Sequence, residues 1–278
     1  MQDEDGGGKS NSLEKMLAIL DGFDEDHVVL DVGRAAELSG SSRPSAYRYL
    51  QALTRSGLLT PASGGTYALG SRVIELEMVR RVNDPLYRAS HHLIRHYSQT
   101  TGLNIMVCSY YGDKVLCTDF AWADRSTPDI YRPGRSMPLF RGAMAKVILA
   151  NHSLALLKSI WTHNEAQIRE AGLGDSLAVF LDQMAAIRAA GALVTRAEVF
   201  ADLVGVAAPV LDLNGQILGS VVFVLTVQRY QTSDPEQLAE EIRELSRGIQ
   251  RGISRANRFD AITPGAAAKP RRAPVYRS

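Results

Sequence analysis

The sequence predicts an α+β fold in two parts: a small helical head that ends in a β-hairpin, and a larger domain built on an antiparallel sheet. Three observations point there. The chain has 278 residues, and at roughly 100–200 residues per domain that length supplies two cores. Helical spacing of apolar residues dominates up to Thr101, and the pattern changes to strands from Leu103. Two hairpin signals in the second part, Gly112-Asp113 and Asn214-Gly215, connect strand candidates that neighbour each other in sequence.

The elements follow in order. Residues 1–11 are acidic and then glycine-rich and read as a flexible tail. Ser12 is a candidate N-cap for a helix carrying Leu13, Met16, Leu17 and Leu20. Asp31 caps a second, short helix through Leu38, and Ser39-Gly40 breaks it. Ser41 or Ser42 caps a third helix with Pro44 in its first turn, where a missing N–H removes no bond. Ala46, Tyr47, Leu50 and Leu53 lie on its inner side, and it ends near Gly57. Leu58–Thr60 and Thr66–Leu69 are short strands about a Ser63-Gly64-Gly65 turn. Helices over Ser71–Asn83 and Leu86–Thr101 come next, separated at Asp84-Pro85. In the second part the strands are Asn104–Tyr110, Lys114–Phe120, Ala192–Arg196, Gly205–Leu211 and Ile217–Val227. The helices are Gly142–Ala150, Leu177–Ala190 and Pro235–Ala256. Residues 259–278 read as a disordered basic tail.

Composition narrows the function classes. A chain that is 45% hydrophobic is not wholly disordered. A formal net charge of +1 leaves no partner chosen by bulk charge. Two cysteines exclude a disulfide-stapled secreted scaffold. The longest apolar run, Ile217–Val227, is interrupted and shorter than the ~20 residues that span a bilayer. The expectation is a soluble cytoplasmic protein with no membrane partner.

Charge in the head is segregated. Between Lys9 and Asp31 two cations face six anions, whereas between Val32 and Arg72 five arginines (34, 43, 48, 55 and 72) face Glu37 alone. That half is suited to phosphate, each neutralised phosphate adding salt-dependent affinity. In a helix–turn–helix the second helix enters the major groove N-terminus first. The candidate DNA-contacting residues are therefore Ser41, Ser42, Arg43, Ser45, Tyr47 and Arg48, with Thr66 and Tyr67 near the hairpin tip touching the adjacent backbone. A small helical module that binds protein is the alternative.

No catalytic constellation is present: there is no G-x-S-x-G elbow, P-loop or G-x-G-x-x-G. His92 and His96 are one helical turn apart, a spacing that holds zinc, but no Glu follows His92 to complete H-E-x-x-H, and His91 points elsewhere. A polar helix face is the plainer reading, with a metal-dependent enzyme or sensor in the second domain kept as the competing class. Otherwise no metal and no cofactor is expected. Cys108 and Cys117 sit directly opposite if Gly112-Asp113 is a two-residue turn, so a thiol switch is conceivable, though two small buried thiols suit a reducing compartment better.

Three segments in order resemble the IclR family of bacterial transcriptional regulators, over roughly residues 12–256. In the head they are Ala35-Ala36-Glu37-Leu38-Ser39-Gly40 and Ser42 to Leu50, followed by Leu53, Gly57-Leu58-Leu59 and Tyr67-Ala68-Leu69-Gly70. The second segment is Gly134 to Leu139 with Gly142 to Ala150, and the third is Gly205 to Val210 with Asp212 and Gly215. The resemblance implies a winged helix–turn–helix over 12–70, a linker helix over 71–84 and a GAF/profilin-like effector-binding domain over 85–258. It implies a homodimer or homotetramer on double-stranded operator DNA, controlled by a small molecule. Carried over by motif, the effector pocket includes Ala143, Met144, Thr195, Leu203, Gly205, Val222 and Val224, with Met106 and Cys108 on the same side of the sheet and Leu139 in the preceding loop. Members that bind hydrophilic oxo-acids place Asp, Cys and Ser at positions matching Thr195, Gly205, Val222 and Val224. The apolar residues here suit a hydrophobic or aromatic body instead, with Arg132 and Arg141 as partners for an acid group. Ordinary sheet core at Val222 and Val224, with a smaller or shifted pocket, is the alternative.

Overall fold

The computed structural model describes residues 11–111, 114–125 and 134–262, with side chains as far as Arg255. Gly112-Asp113, Arg132 and residues 263–278 lie outside the described residues. The chain divides into two compact units between Asn83 and Asp84.

The first unit runs α1 (Ser12–Ala18), β1 (Val29–Leu30), α2 (Val32–Leu38), α3 (Arg43–Arg55), β2 (Leu59–Pro61), β3 (Tyr67–Leu69) and α4 (Ser71–Asn83). The cap of α1 is Asn11 rather than Ser12. The Asn11 side chain accepts from the N–H groups of Leu13 and Glu14 at 2.9 and 3.0 Å, and Glu14 accepts the Asn11 N–H at 3.0 Å. This reciprocal box satisfies orphan amides at the helix start. Asp31 caps α2 through the Arg34 N–H at 2.8 Å. The apolar faces of α2 and α3 meet around Ile19, Ala35, Ala46, Leu50 and Leu53, and β2 and β3 close the core with Leu59 and Tyr67. The two-residue strand β1, which no periodicity announces, joins as an edge, giving the order β1-β3-β2. Burial is absent from α4, and Ile74, Met78 and Val82 stand on it at a helical stride, 57–70% exposed.

The second unit begins with α5 (Pro85–Thr101), capped by Asp84 and ended by a left-handed Gly102. It continues through β4 (Asn104–Tyr110), β5 (Val115–Ala121), β6 (Ser136–Met137), α6 (Ala143–Ala150), α7 (Leu154–Glu170), α8 (Leu177–Ala190), β7 (Leu193–Arg196), β8 (Leu203–Leu211), β9 (Ile217–Thr226), α9 (Val227–Gln231) and α10 (Pro235–Ile262). Helix α7, with its kink at Asn164, and the short β6 and α9 have no counterpart in the sequence reading. The closing helix extends past Ala256 to Ile262.

The six strands form one antiparallel sheet in the order β6-β5-β4-β9-β8-β7. Both of its faces are covered. Ile105, Val107, Val206, Val221, Phe223 and Leu225 face a core shared with α5 and α10, where Phe223 stacks on Tyr97 with centroids 5.7 Å apart. Their alternates Met106, Cys108, Ala207, Val222 and Val224 face α6. Helices α7 and α8 form a further layer around Phe180, Trp161 and Leu149. With helices on each side, α6 is buried along its whole length.

Cys108 pairs with Cys117 in the β4–β5 register, and the register shifts between Val107 and Cys108. Both thiols are buried and reduced. Burial pushes the Cys108 thiol well up, with Cys117 adding to the shift, and burial together with the Asp119 carboxylate pushes Cys117 up to about 12. Because the thiolate is the reactive species, neither should react with a disulfide reagent in the folded protein at pH 8, and both should react in denaturant. Native-state labelling at the rate of a free thiol would contradict this placement.

Candidate functional site

Two places combine exposure or space with polar chemistry, one in each unit. In the first unit it is the outer face of α3. Ser42 is the N-cap, but its side chain makes no cap bond to the helix. Its hydroxyl turns to the Ser45 Oγ at 3.2 Å, and Arg48 Nη2 donates to the same Oγ at 3.1 Å. Ser42, Ser45 and Arg48 therefore form one polar ridge, flanked by exposed Arg43 and half-exposed Tyr47, opposite the buried Ala46 and Leu50. First-turn amides without a side-chain cap, beside arginines, suit an anion. Arg34 and Arg72 are engaged by Glu37 and Glu75 at 2.9 and 2.6 Å, whereas among the described residues Arg43, Arg48 and Arg55 form no ion pair.

The turn before α3 is braced internally. Ser39 Oγ donates to the Ala35 carbonyl at 2.6 Å and lies 2.6 Å from Ser41 Oγ, so the Ser41 hydroxyl shapes the turn. At the hairpin, the Thr66 hydroxyl donates to the Ser63 carbonyl at 2.8 Å. Tyr67 is corrected. Its ring is 6% exposed within the core and its hydroxyl accepts from Gln51 Nε2 at 3.2 Å, so it is packing, and the exposed tip is Ser63-Gly64-Gly65.

In the second unit a cavity lies between the start of α6, the strands β7, β8 and β9, and the turn after β7. Ala143, Met144, Thr195, Leu203, Val222 and Val224 line it, with Gly205 beneath. It encloses about 20 Å³, room for roughly one water. Met106 and Cys108 share the apolar cluster with these residues, wholly buried, but do not line the cavity. Leu139 is half-buried and packs against that cluster without lining the cavity. Arg141 does not line the cavity: its Nη2 pairs with Glu170 of α7 at 2.8 Å on the surface.

Sequence reasoning missed the polar half of this cavity. Glu198 Oε2 accepts the Gly142 N–H at 2.8 Å, and Glu198 Oε1 accepts from Lys146 Nζ at 2.7 Å. Thr195 Oγ1 accepts the Ala143 N–H at 2.9 Å. Val199 and Phe200 complete the lining, and Arg135 stands over the Phe200 ring at 5.7 Å. Gly142 is required here. Its φ is +84°, and a Cβ would lie 2.5 Å from Met144 Sδ and 2.8 Å from Val199 Cγ2. No local pattern announces Glu198, since its partners lie more than fifty residues away in the chain.

The histidines of α5 go elsewhere. His91 Nδ1 lies 2.9 Å from Asp119 Oδ2, and Arg95 grips the same carboxylate with both terminal nitrogens at 3.1 Å. Asp119 is almost fully buried, and Arg95 supplies the counter-charge that a buried carboxylate requires. Among the described residues no group of three or more His, Cys, Asp or Glu side chains could hold a metal, and no helix is long and apolar enough to cross a membrane.

Comparison with known proteins places this architecture. Residues 12–62 match the IclR helix-turn-helix domain, and residues 82–251 match the family described as bacterial transcriptional regulator IclR C-terminal. The DNA-binding transcriptional repressor YiaJ of Escherichia coli K12 is 25% identical over 264 residues, covering 91% of this chain and 92% of the relative. An IclR homologue from Microbacterium hydrocarbonoxydans, solved in complex with 4-hydroxybenzoate, superposes with a TM-score of 0.73 at 16% identity, covering 88% of this chain and 100% of that one. Thermotoga maritima IclR superposes with a TM-score of 0.62 at 22% identity, covering 88% and 98%. The family matches span both units in the order of their elements, and the chain belongs to the IclR family of bacterial transcriptional regulators, with an N-terminal helix–turn–helix and a C-terminal ligand-binding domain.

Proposed function

We propose that the protein binds operator DNA through α3 and releases or re-engages it when an aromatic or otherwise hydrophobic carboxylic acid occupies the second unit. The observation that carries the DNA half is the ridge of Ser42, Ser45 and Arg48 with Arg43 beside it. Arg48 has the reach and the fork of donors to pair with a guanine edge, while Ser42, Ser45 and the uncapped amides suit phosphate. Wing-tip residues 63–65 are exposed and small enough to approach the neighbouring backbone. Repression, the role named for the E. coli relative, is the direction of control we assign.

The effector class rests on the cavity wall. Among its lining side chains only Thr195 and Glu198 are polar, and both are already hydrogen-bonded to α6. The body of a small hydrophilic acid would set its polar groups against Val222 and Val224 without partners. A ring matches them, and the Microbacterium neighbour is complexed with an aromatic acid.

The assembly is read from α4. An exposed aliphatic stripe of Ile74, Met78 and Val82 fits a second copy of the same helix better than water. The wild-type protein should sediment as a dimer or tetramer, and Ile74→Glu should shift it toward monomer. An unchanged sedimentation coefficient in the variant would contradict that assignment.

The DNA assignment is tested by fluorescence anisotropy on DNA from upstream of the protein's own coding region. Arg48→Ala should weaken binding by about 1–3 kcal/mol if Arg48 reads a base. Unchanged affinity removes Arg48 from the interface. Wild-type binding no tighter than to random duplex contradicts operator recognition altogether.

A further inference from the structure

The cavity beside α6 is closed by the chain's own segment 197–202. The segment leaves β7 through Ala197, whose φ of +55° makes it the sole non-glycine residue at positive φ among the described residues. It re-enters the sheet at Leu203, with Ala197 N–H donating to the Leu203 carbonyl at 2.9 Å and Leu203 N–H to the Phe200 carbonyl at 3.1 Å. Between those points Glu198 reaches Lys146, and Val199 and Phe200 enter the cavity wall.

Two physical demands act on this segment together. The first is space. The cavity holds about 20 Å³, whereas an apolar cavity that takes up benzene is on the order of 150 Å³. A ring is admitted only when Val199 and Phe200 withdraw. The second is charge. Lys146 is 8% exposed in a helix whose other seven residues are apolar, and Glu198 is its ion-pair partner at 2.7 Å. Withdrawing the segment takes Glu198 away, and a buried ammonium left alone is strongly unfavourable. Whatever enters must return a negative charge to that spot.

We infer that segment 197–202 is an internal plug whose Glu198 carboxylate stands in for the acid group of the effector. The inference rests on the ligand-binding reading of the second unit. A molecule with a carboxylate at one end and an apolar body at the other replaces Glu198 and the Val199/Phe200 pair at once. A neutral ring of the same shape replaces only the apolar pair and strands Lys146. The cavity therefore selects acids although its wall is apolar, and Lys146 with Glu198 sets that selectivity in place of Arg141.

The test is calorimetric titration of the full-length protein with benzoate and with benzamide, alongside amide hydrogen exchange at Ala197 and Leu203. Glu198→Gln keeps the size of the side chain and removes its charge. Benzoate should then bind roughly tenfold tighter or better, because the closed state no longer competes as strongly, benzamide should change little, and exchange at both amides should speed up. Phe200→Ala vacates the apolar half and should tighten both compounds together. Lys146→Gln should abolish the preference for benzoate over benzamide. Benzoate binding wild type and Glu198→Gln equally, with unchanged exchange, overturns the plug and leaves the ligand-binding reading intact. Benzoate binding only the variant supports the plug and removes simple aromatic acids as effectors of the wild type. Benzoate binding neither protein overturns the surrogate role, since an uncovered Lys146 must recruit an anion. Should Glu198→Gln fail to fold, unchanged binding of both compounds by Phe200→Ala overturns the plug in its place.

Discussion

Lys146 sits in the middle of a helix that is otherwise alanine, methionine, valine, isoleucine and leucine, and every residue of that helix is buried. A charge in that position is tolerated only with an opposite charge against it. The opposite charge comes from Glu198, and bringing Glu198 there requires the turn at Ala197, the left-handed backbone of that residue, and a glycine at 142 whose N–H donates to the second carboxylate oxygen. One ion pair thus ties the start of α6 to the turn between β7 and β8. It also determines which surfaces remain to form a cavity and which polar groups are already engaged in it.

The burial of α6 is itself a consequence of the sheet. Six antiparallel strands with apolar side chains on both faces need cover on both sides. Helices α5 and α10 supply it on one face, and α6, roofed by α7 and α8, supplies it on the other. The first unit solves the same problem on a smaller scale, with three helices and a short hairpin around one cluster. The surface proposed to meet DNA is what that cluster leaves outside, namely the arginine and serine side of α3. Burying Ala46, Leu50 and Leu53 along one stripe of α3 turns Arg48 outward, and Arg43 is exposed as the first residue of the helix.

Much of this was legible in the sequence because it is local. The cap at Asp31, the helix at 177–190 ended by Gly191, and the opposition of Cys108 and Cys117 each follow from spacing and turn chemistry. The face alternation of Met106 and Cys108 against Ile105 and Val107 follows from the pleat. The cap at Asn11 carried a readable signal, an Asn three residues before Glu14, which competes with the neighbouring Ser12. Helix α7 was not legible, since its apolar positions are interrupted by Lys158, Thr162, His163 and Asn164, and it is held by packing against α8. Tyr67 misled because a hairpin tyrosine looks exposed until the Gln51 contact is known. The cavity was half legible: the apolar wall matched by motif, whereas the Glu198 contacts and the Arg141–Glu170 pair depend on partners remote in sequence.

The account stands or falls on whether one molecule couples the two units. The direct measurement is fluorescence anisotropy of the full-length protein on its upstream DNA, at two salt concentrations, titrated with 4-hydroxybenzoate and a panel of aromatic and aliphatic acids. The account predicts saturable binding that outlasts non-specific competitor, weakens with salt and shifts when an aromatic or hydrophobic acid is added. DNA affinity that stays the same across the whole panel would contradict it.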